Sequence, residues 1–184
     1  ENILKKLKRS KNSTINKIFL LHNVCKNYGT LPFANIARMG FVAVEFLNSF
    51  ESLNIISKHE KNHFLETIKS VSFDMSKCVR KSKQKFIKKY GHLRPNTYEI
   101  STPSYKEDFH NYFKNIVPIP KKPKKFKFSS LQKSKINNIL KYNNFKNIDA
   151  DLLIYFIENS IYHRESSKLF FTKIIDEIFS QLRV

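Results

Sequence analysis

His92, Arg94, Thr97, Tyr98 and Glu99 bring an imidazole, a guanidinium, two hydroxyls and a carboxylate into eight residues of sequence. Together such groups can bind an anion, hydrogen-bond a small polar ligand and move a proton. They sit in Lys89–Ile100, where Gly91 and Pro95 stop a helix. A helix would point them in several directions, whereas a tight loop with a proline-fixed φ gathers them. A capped turn with solvated polar residues accounts for the same composition.

Four other groupings have the residue types for chemistry. His59-Glu60-Lys61-Asn62-His63 fits the H-E-x-x-H pattern, which on a helix sets two imidazoles one turn apart for zinc. Zinc proteases embed that pattern in an apolar helix, but here Lys58, Lys61 and Asn62 surround it and Glu60 suits the helix dipole. A solvated first turn is expected, and no metal site. Lys121–Lys127 with Phe126 and Phe128 combines cations with aromatics that can stack on bases. The same residues also read as a solvated, proline-bounded linker. Arg38 is the only arginine in a very apolar helix, so it either contacts an anion or pairs with a carboxylate such as Glu45. Arg164 and Lys168 lie one turn apart beside Glu165, as a phosphate contact or a surface ion-pair cluster.

Composition narrows the setting. The 184 residues suit one domain, or one with a helical appendage, and 41% hydrophobic residues suffice for a core rich in Phe, with 17 Phe and no Trp. Only 3 Gly and 6 Pro argue against a turn-rich β fold. A formal net charge of +19 calls for an anionic partner: nucleic acid, acidic membrane, phosphorylated ligand or an acidic neighbouring domain. Abundant Lys, Asn, Ile and Phe also match an AT-rich genome. Cys25 and Cys78 lack metal spacing and read as free thiols in a reducing compartment. No signal peptide is recognisable and no apolar run approaches membrane-spanning length, so a cytoplasmic protein is expected. The chain opens on Glu1, as expected of a piece of something longer.

The elements that must position these residues are helices. Asn12-Ser13-Thr14 supplies N-cap types for a helix running to about Tyr28, which Gly29 ends, and Thr30-Leu31-Pro32 makes a sharp connection. Phe33 to Asn54 is apolar around most of its circumference and is the expected central helix. Ser57 caps a helix from Lys58 to Lys81, and Lys83 to Tyr90 leads into the loop. A short helical piece spans Phe109 and Phe113, and the last third holds Leu131–Tyr142 and Ala150–His163, continued by Arg164–Arg183. The expected fold is all-α, a helical domain with a Pro/Lys-rich connector and a C-terminal helical hairpin. Its parts are residues 1–114, a connector at 115–128 and C-terminal helices at 129–184.

Three segments carry a resemblance. Gly29-Thr30-Leu31-Pro32-Phe33-Ala34 with Ala37-Arg38-Met39-Gly40-Phe41 resembles a G-T-L-P-F-A…A-R-x-G-F segment. Tyr90-Gly91-His92-Leu93-Arg94-Pro95, with Thr97 and Tyr98, resembles Y-G-H-L-R-P-G-T-Y, and Arg164-Glu165 through Lys168, Phe171, Thr172 and Lys173 resembles R-E-x-x-K-F-x-F-T-K. In this order they are similar to the central region of phosphoenolpyruvate synthase-like phosphotransferases (pyruvate, water dikinase-like), over roughly Lys17 to Arg183. The resemblance implies an acceptor-binding middle region of an ATP-dependent enzyme, served by an ATP-grasp domain and a phosphohistidine domain of the same polypeptide. Gly is too scarce for an ATP-grasp phosphate loop, so ATP and Mg2+ would be bound elsewhere, with no cofactor in this stretch and no turnover from it alone.

The acceptor implied is a small molecule, L-glutamine being favoured, as in the branch of the family serving capsular phosphoramidate biosynthesis. By the same resemblance Arg38 and Arg94 would bind the acceptor carboxylate or phosphoryl oxygens, with Thr30, Thr97 and Tyr98 completing the substrate contacts. His92 or Glu99 would orient or deprotonate the acceptor, and Arg164 and Lys168 would touch phosphate. Asn96 replaces the usual glycine, and Ser104 stands where an arginine is common before Tyr105. The competing expectation is a basic helical module that binds nucleic acid; no membrane partner is expected.

Overall fold

In the computed structural model, residues 2–68, 70–115 and 124–183 are described, and among these there are helices and turns but no strand. The expected all-α class is what the chain adopts. In order come α1 (Asn2–Arg9), α2 (Thr14–Val24), a π-helical segment (Cys25–Thr30), α3 (Leu31–Ser52), α4 (Lys58–Thr67), α5 (Val71–Lys81) and α6 (Lys83–Tyr90). After the loop follow α7 (Phe109–Phe113), α8 (Ser130–Tyr142) and α9 (Ala150–Leu182). Most of the expected connector, residues 116–123, lies outside the described residues.

Local chemistry sets the ends of several helices. Ser57 and Ser129 each form a capping box, with Glu60 and Gln132 returning the bond to the cap backbone. Ser13 and Ser82 accept from the N3 backbone of α2 and α6. Asn54 and Asn144 take positive φ just after α3 and α8, where asparagine tolerates the left-handed region.

Three expectations about helix boundaries change. Gly29 does not end a helix. The chain runs on as one helical stretch from Thr14 to Ser52, because the π segment supplies the bond from Leu31 N–H to the carbonyl of Lys26, one residue further back than an α-helix uses. The extra residue falls just ahead of Pro32, which has no N–H to give. This 39-residue run, with a window of mean hydropathy 1.2, is long and apolar enough to cross a membrane by length and composition alone, contrary to the expectation from sequence. The core helix of a water-soluble protein passes the same test. Lys58–Lys81 is two helices, because Ile68 turns extended (ψ 137°) at the end of α4. Conversely, 150–182 is a single helix of 33 residues.

The chain divides into two compact units. The first comprises Glu1–Asn35, Val71–Ile119 and Glu165–Val184; the second comprises Ile36–Ser70 and Pro120–Arg164. The second unit is built on the buried face of α3, where Ala43, Leu47 and Phe50 follow helical spacing. Phe64, Ile136, Leu140, Leu153 and Ile157 pack around it. That face is narrower than the sequence suggests, since Met39, Phe41 and Val42 are exposed. Phe126 and Phe128 are buried in the same core, in edge-to-face contact with each other and with Phe64. Their rings are filled positions of the interior and are not presented for stacking on bases.

In the first unit, one core joins Leu4, Leu21, Cys25 and Ile174. A second gathers Val79, Phe86 and Tyr90, with Tyr105, Phe109 and Phe113 packed against it. Phe86, fully buried, has four aromatic neighbours in Tyr90, Tyr105, Phe109 and Phe113. That aromatic packing anchors both ends of the His92 loop.

Candidate functional site in the first unit

The loop leaves α6 through Gly91. A Cβ there would lie 2.4 Å from the carbonyl oxygen of Ile87, which is backbone and cannot yield, so the tight exit requires glycine although its φ is an ordinary −60°. Two backbone bonds then clasp the loop upon itself: Tyr105 N–H donates to Leu93 O (2.8 Å) and Lys106 N–H to Gly91 O (2.9 Å). Asn96 is not among the residues with positive φ, so glycine is not needed at that position. Ser104 is completely buried, in a space that an arginine would overfill.

His92 is buried, and its Nε2 lies 3.0 Å from Leu169 O. A carbonyl only accepts, so Nε2 carries the proton and Nδ1 the lone pair. Burial lowers its pKa to about 4, against the opposing pull of Asp176, so the ring is neutral at pH 7. A group that weakly basic hydrogen-bonds and orients a ligand more readily than it deprotonates one.

Arg94 is 6% exposed. Its Nη1 donates to Thr102 O (3.1 Å), its Nη2 is paired with Asp176 Oδ1, and the guanidinium lies over Phe179, 5.0 Å from the ring centroid. Lys106 Nζ reaches the other Asp176 oxygen at 2.7 Å. The guanidinium fork is thereby occupied by the protein itself. Asp176 went unnoticed in the sequence, although an acidic pair, Asp176-Glu177, inside the apolar run Ile174–Phe179 is a signal that a buried cation must meet it. Further along, Arg183 bonds Glu107 (2.9 Å) and the Ile100 carbonyl. Burial pushes the Glu107 carboxyl up, but the Ser104 N–H and the Arg183 guanidinium outweigh it and hold the pKa at about 2.

Thr97 is half-buried. Tyr98 is 73% exposed, its ring edge-on to Phe171 with centroids 6.4 Å apart. Glu99 faces solvent and accepts from the Ser101 hydroxyl (2.8 Å) and N–H (3.2 Å), which hold its pKa below the usual carboxylate value. Phe171 also stacks on Phe33 at 6.2 Å, and Lys168 Nζ lies over Phe33 at 5.8 Å. Gly29 backs onto the same Phe171, with 3.3 Å to a built Cβ. Thr30 is exposed at the end of the π segment. Residues from all three segments that carry the resemblance thus meet on one turn of α9, Leu169 to Lys173.

Arg38 and Arg164 belong to the second unit. Arg38 is on an exposed position of α3, and Arg164 lies across Gly40 with its guanidinium over Phe41 at 4.8 Å. In the H-E-x-x-H segment, Glu60 is committed to the Ser57 cap and to Gln132, and His63 Nε2 lies 3.0 Å from Lys124 O. Among the described residues, no group of three or more His, Cys, Asp or Glu side chains is placed to hold a metal ion.

A cavity of about 790 Å³ opens in the first unit, with His92, Lys106, Lys173 and Asp176 in its wall. The charged lining was not legible from spacing, because the lysines come from separated parts of the chain.

Compared with known proteins, the chain matches no family model, no curated protein and no solved structure.

Proposed function

We propose that this chain is the acceptor-binding region of an ATP-dependent phosphotransferase in which a phosphohistidine on another domain donates the phosphoryl group. The observation that supports this reading is the convergence of the three family-like segments. Gly29 and Phe33, His92 and Tyr98, and Lys168 to Lys173 are far apart in sequence and come together on one turn of α9 in the first unit.

In this reading the acceptor lies against Tyr98, Thr97 and Lys168. Tyr98 offers a hydroxyl on an exposed ring braced by Phe171, and Lys168 supplies a cation for a carboxylate or for phosphoryl oxygens. Arg94 is a positioning residue: its bonds to Asp176 and Thr102 O hold the loop that presents Thr97 and Tyr98. Phosphoryl transfer breaks the N–P bond of the donor histidine, forms a bond from phosphorus to the acceptor and releases the acceptor's proton. With a pKa of about 4, buried His92 is not the base, and that proton passes to water or to the donor domain. ATP and Mg2+ act on the donor side.

The acceptor to try first is L-glutamine. Calorimetric titration of the 184-residue protein should show saturable binding of glutamine and not of pyruvate. Tyr98→Ala and Lys168→Ala should each weaken it about tenfold, consistent with loss of one hydrogen bond or charge contact, with the thermal transition unchanged. Glutamine affinity equal in all three proteins, or no saturable binding of glutamine, would remove this assignment.

A further inference from the structure

The 790 Å³ cavity is lined by six lysines: Lys5 of α1, Lys85, Lys88 and Lys89 of α6, Lys106 of the loop and Lys173 of α9. The acidic groups in its wall are Asp176 and Glu177, so six ammonium groups face two carboxylates and four positive charges are in excess. His92 adds none at neutral pH. Asp176 is moreover matched from behind by Arg94. A concave wall with an excess of one sign of charge focuses its field inward and concentrates counter-ions there. Leu4, Ile87, Leu169 and Phe170 add apolar surface to the wall beside Ser166.

We propose that this cavity is a binding site for a diphosphate group, either inorganic pyrophosphate or the diphosphate of a nucleotide. Two linked phosphates carry about three negative charges near neutrality, close to the local excess, whereas a single phosphate carries fewer than two. Lysine suits this task because flexible, compact ammonium groups from three helices and a loop can each take one oxygen of a ligand they surround. A single concavity of this size favours a small ligand over a polynucleotide, which needs an extended cationic track and exposed rings to stack on. The volume exceeds what a bare diphosphate fills, and the Ile87–Leu169–Phe170 wall can cover an apolar or aromatic remainder. A nucleoside diphosphate therefore binds more tightly than pyrophosphate. The site stands on the cavity's own charge and shape and does not require the acceptor assignment above.

The test uses the 184-residue protein and two double variants of equal charge change. Lys85→Gln/Lys88→Gln alters the cavity; Lys58→Gln/Lys135→Gln removes two exposed lysines of the second unit. Each is titrated calorimetrically with pyrophosphate, ADP, orthophosphate and a short single-stranded oligonucleotide at physiological salt. The expected result is one saturable site for ADP or pyrophosphate, with orthophosphate at least about tenfold weaker. Affinity should drop about tenfold or more in the cavity variant and stay within about twofold in the other. Pyrophosphate binding without further gain from ADP would identify the inorganic ion as the source. Equal losses in both variants, tighter binding of the oligonucleotide than of either diphosphate, or no saturation by about 10 mM of either ligand would overturn the proposal. Circular dichroism of each variant shows that the fold is retained, and the glutamine titration, which uses Tyr98 and Lys168, fails or succeeds independently.

Discussion

Replacing Arg94 should act first on folding and only through it on any activity. The Arg94 side chain is 3% exposed and that of Asp176 9%, so the pair is desolvated. Removing one partner of such a pair costs about 3–5 kcal/mol, because the other charge stays buried without its match. The two halves are unequal. After Arg94→Ala, Asp176 keeps Lys106 at 2.7 Å, an ammonium whose side chain is 43% exposed and can follow it, which puts the cost near the lower figure, about 3 kcal/mol. After Asp176→Leu, the Arg94 guanidinium retains Thr102 O and the Phe179 ring but no counter-charge, which puts the cost near about 5 kcal/mol. At about 2–4 °C per kcal/mol for a chain of this size, the two variants should melt about 6 °C to 20 °C below the parent. Arg94→Ala/Asp176→Leu removes both charges and should lose less than the sum of the singles, giving a coupling of at least about 2 kcal/mol in a double-mutant cycle. Urea unfolding followed by far-ultraviolet circular dichroism measures all four proteins. Arg94→Ala within about 1 kcal/mol of the parent, or a double variant that loses the sum of the singles, would refute the argument.

The pKa of His92 in the folded chain, about 4, is below its unfolded value of 6.5, so its contribution is complete above pH 6.5 and fades as pH falls toward 4. That is about 3 kcal/mol, and His92→Asn should flatten the urea midpoint over this window. Glu107, held at about 2, contributes above its unfolded pKa and loses that between about pH 4.5 and pH 2; Glu107→Gln should remove the acid limb of the stability profile in that lower window only. Phe64→Ala empties the aromatic cluster with Phe126 and Phe128 and should cost about 3–5 kcal/mol in chemical denaturation. Ser57→Ala removes one side of a capping box and should cost about 1 kcal/mol by the same measurement.

Helix identity was legible in the sequence wherever apolar spacing and a capping residue agreed, as at Ser57. What escaped were places where tertiary contacts outvote local signals. Gly29 and Pro32 read as a break, yet Gly29 sits against Phe171 and the helix runs through them. Ile68 has no local reason to turn extended, but the next helix begins with Val71 N–H bonded to Glu165, 94 residues away. At the candidate site, residue types were visible and their partners were not. Arg94 looked like a ligand-binding fork because Asp176 lies 82 positions off. The lysine ring of the cavity was hidden for the same reason, since on each element its members resemble any solvated lysine.

The π segment at Cys25–Thr30 absorbs one residue within a single wide turn of the helix. In uninterrupted α geometry that residue would rotate everything beyond it by about 100°, and the side that carries Leu21 and Cys25 into their core with Ile174 would part from the side that lays Phe33 on Phe171. Both contacts are made on α9, three residues apart, so the two sides must stay in step with a single partner. A one-residue deletion there would restore ordinary α geometry and leave both contacts on α9, whereas drawing the same residues into α geometry would turn one of them away. The wide turn, more than the identity of its residues, is therefore the property of this segment that the first unit depends on.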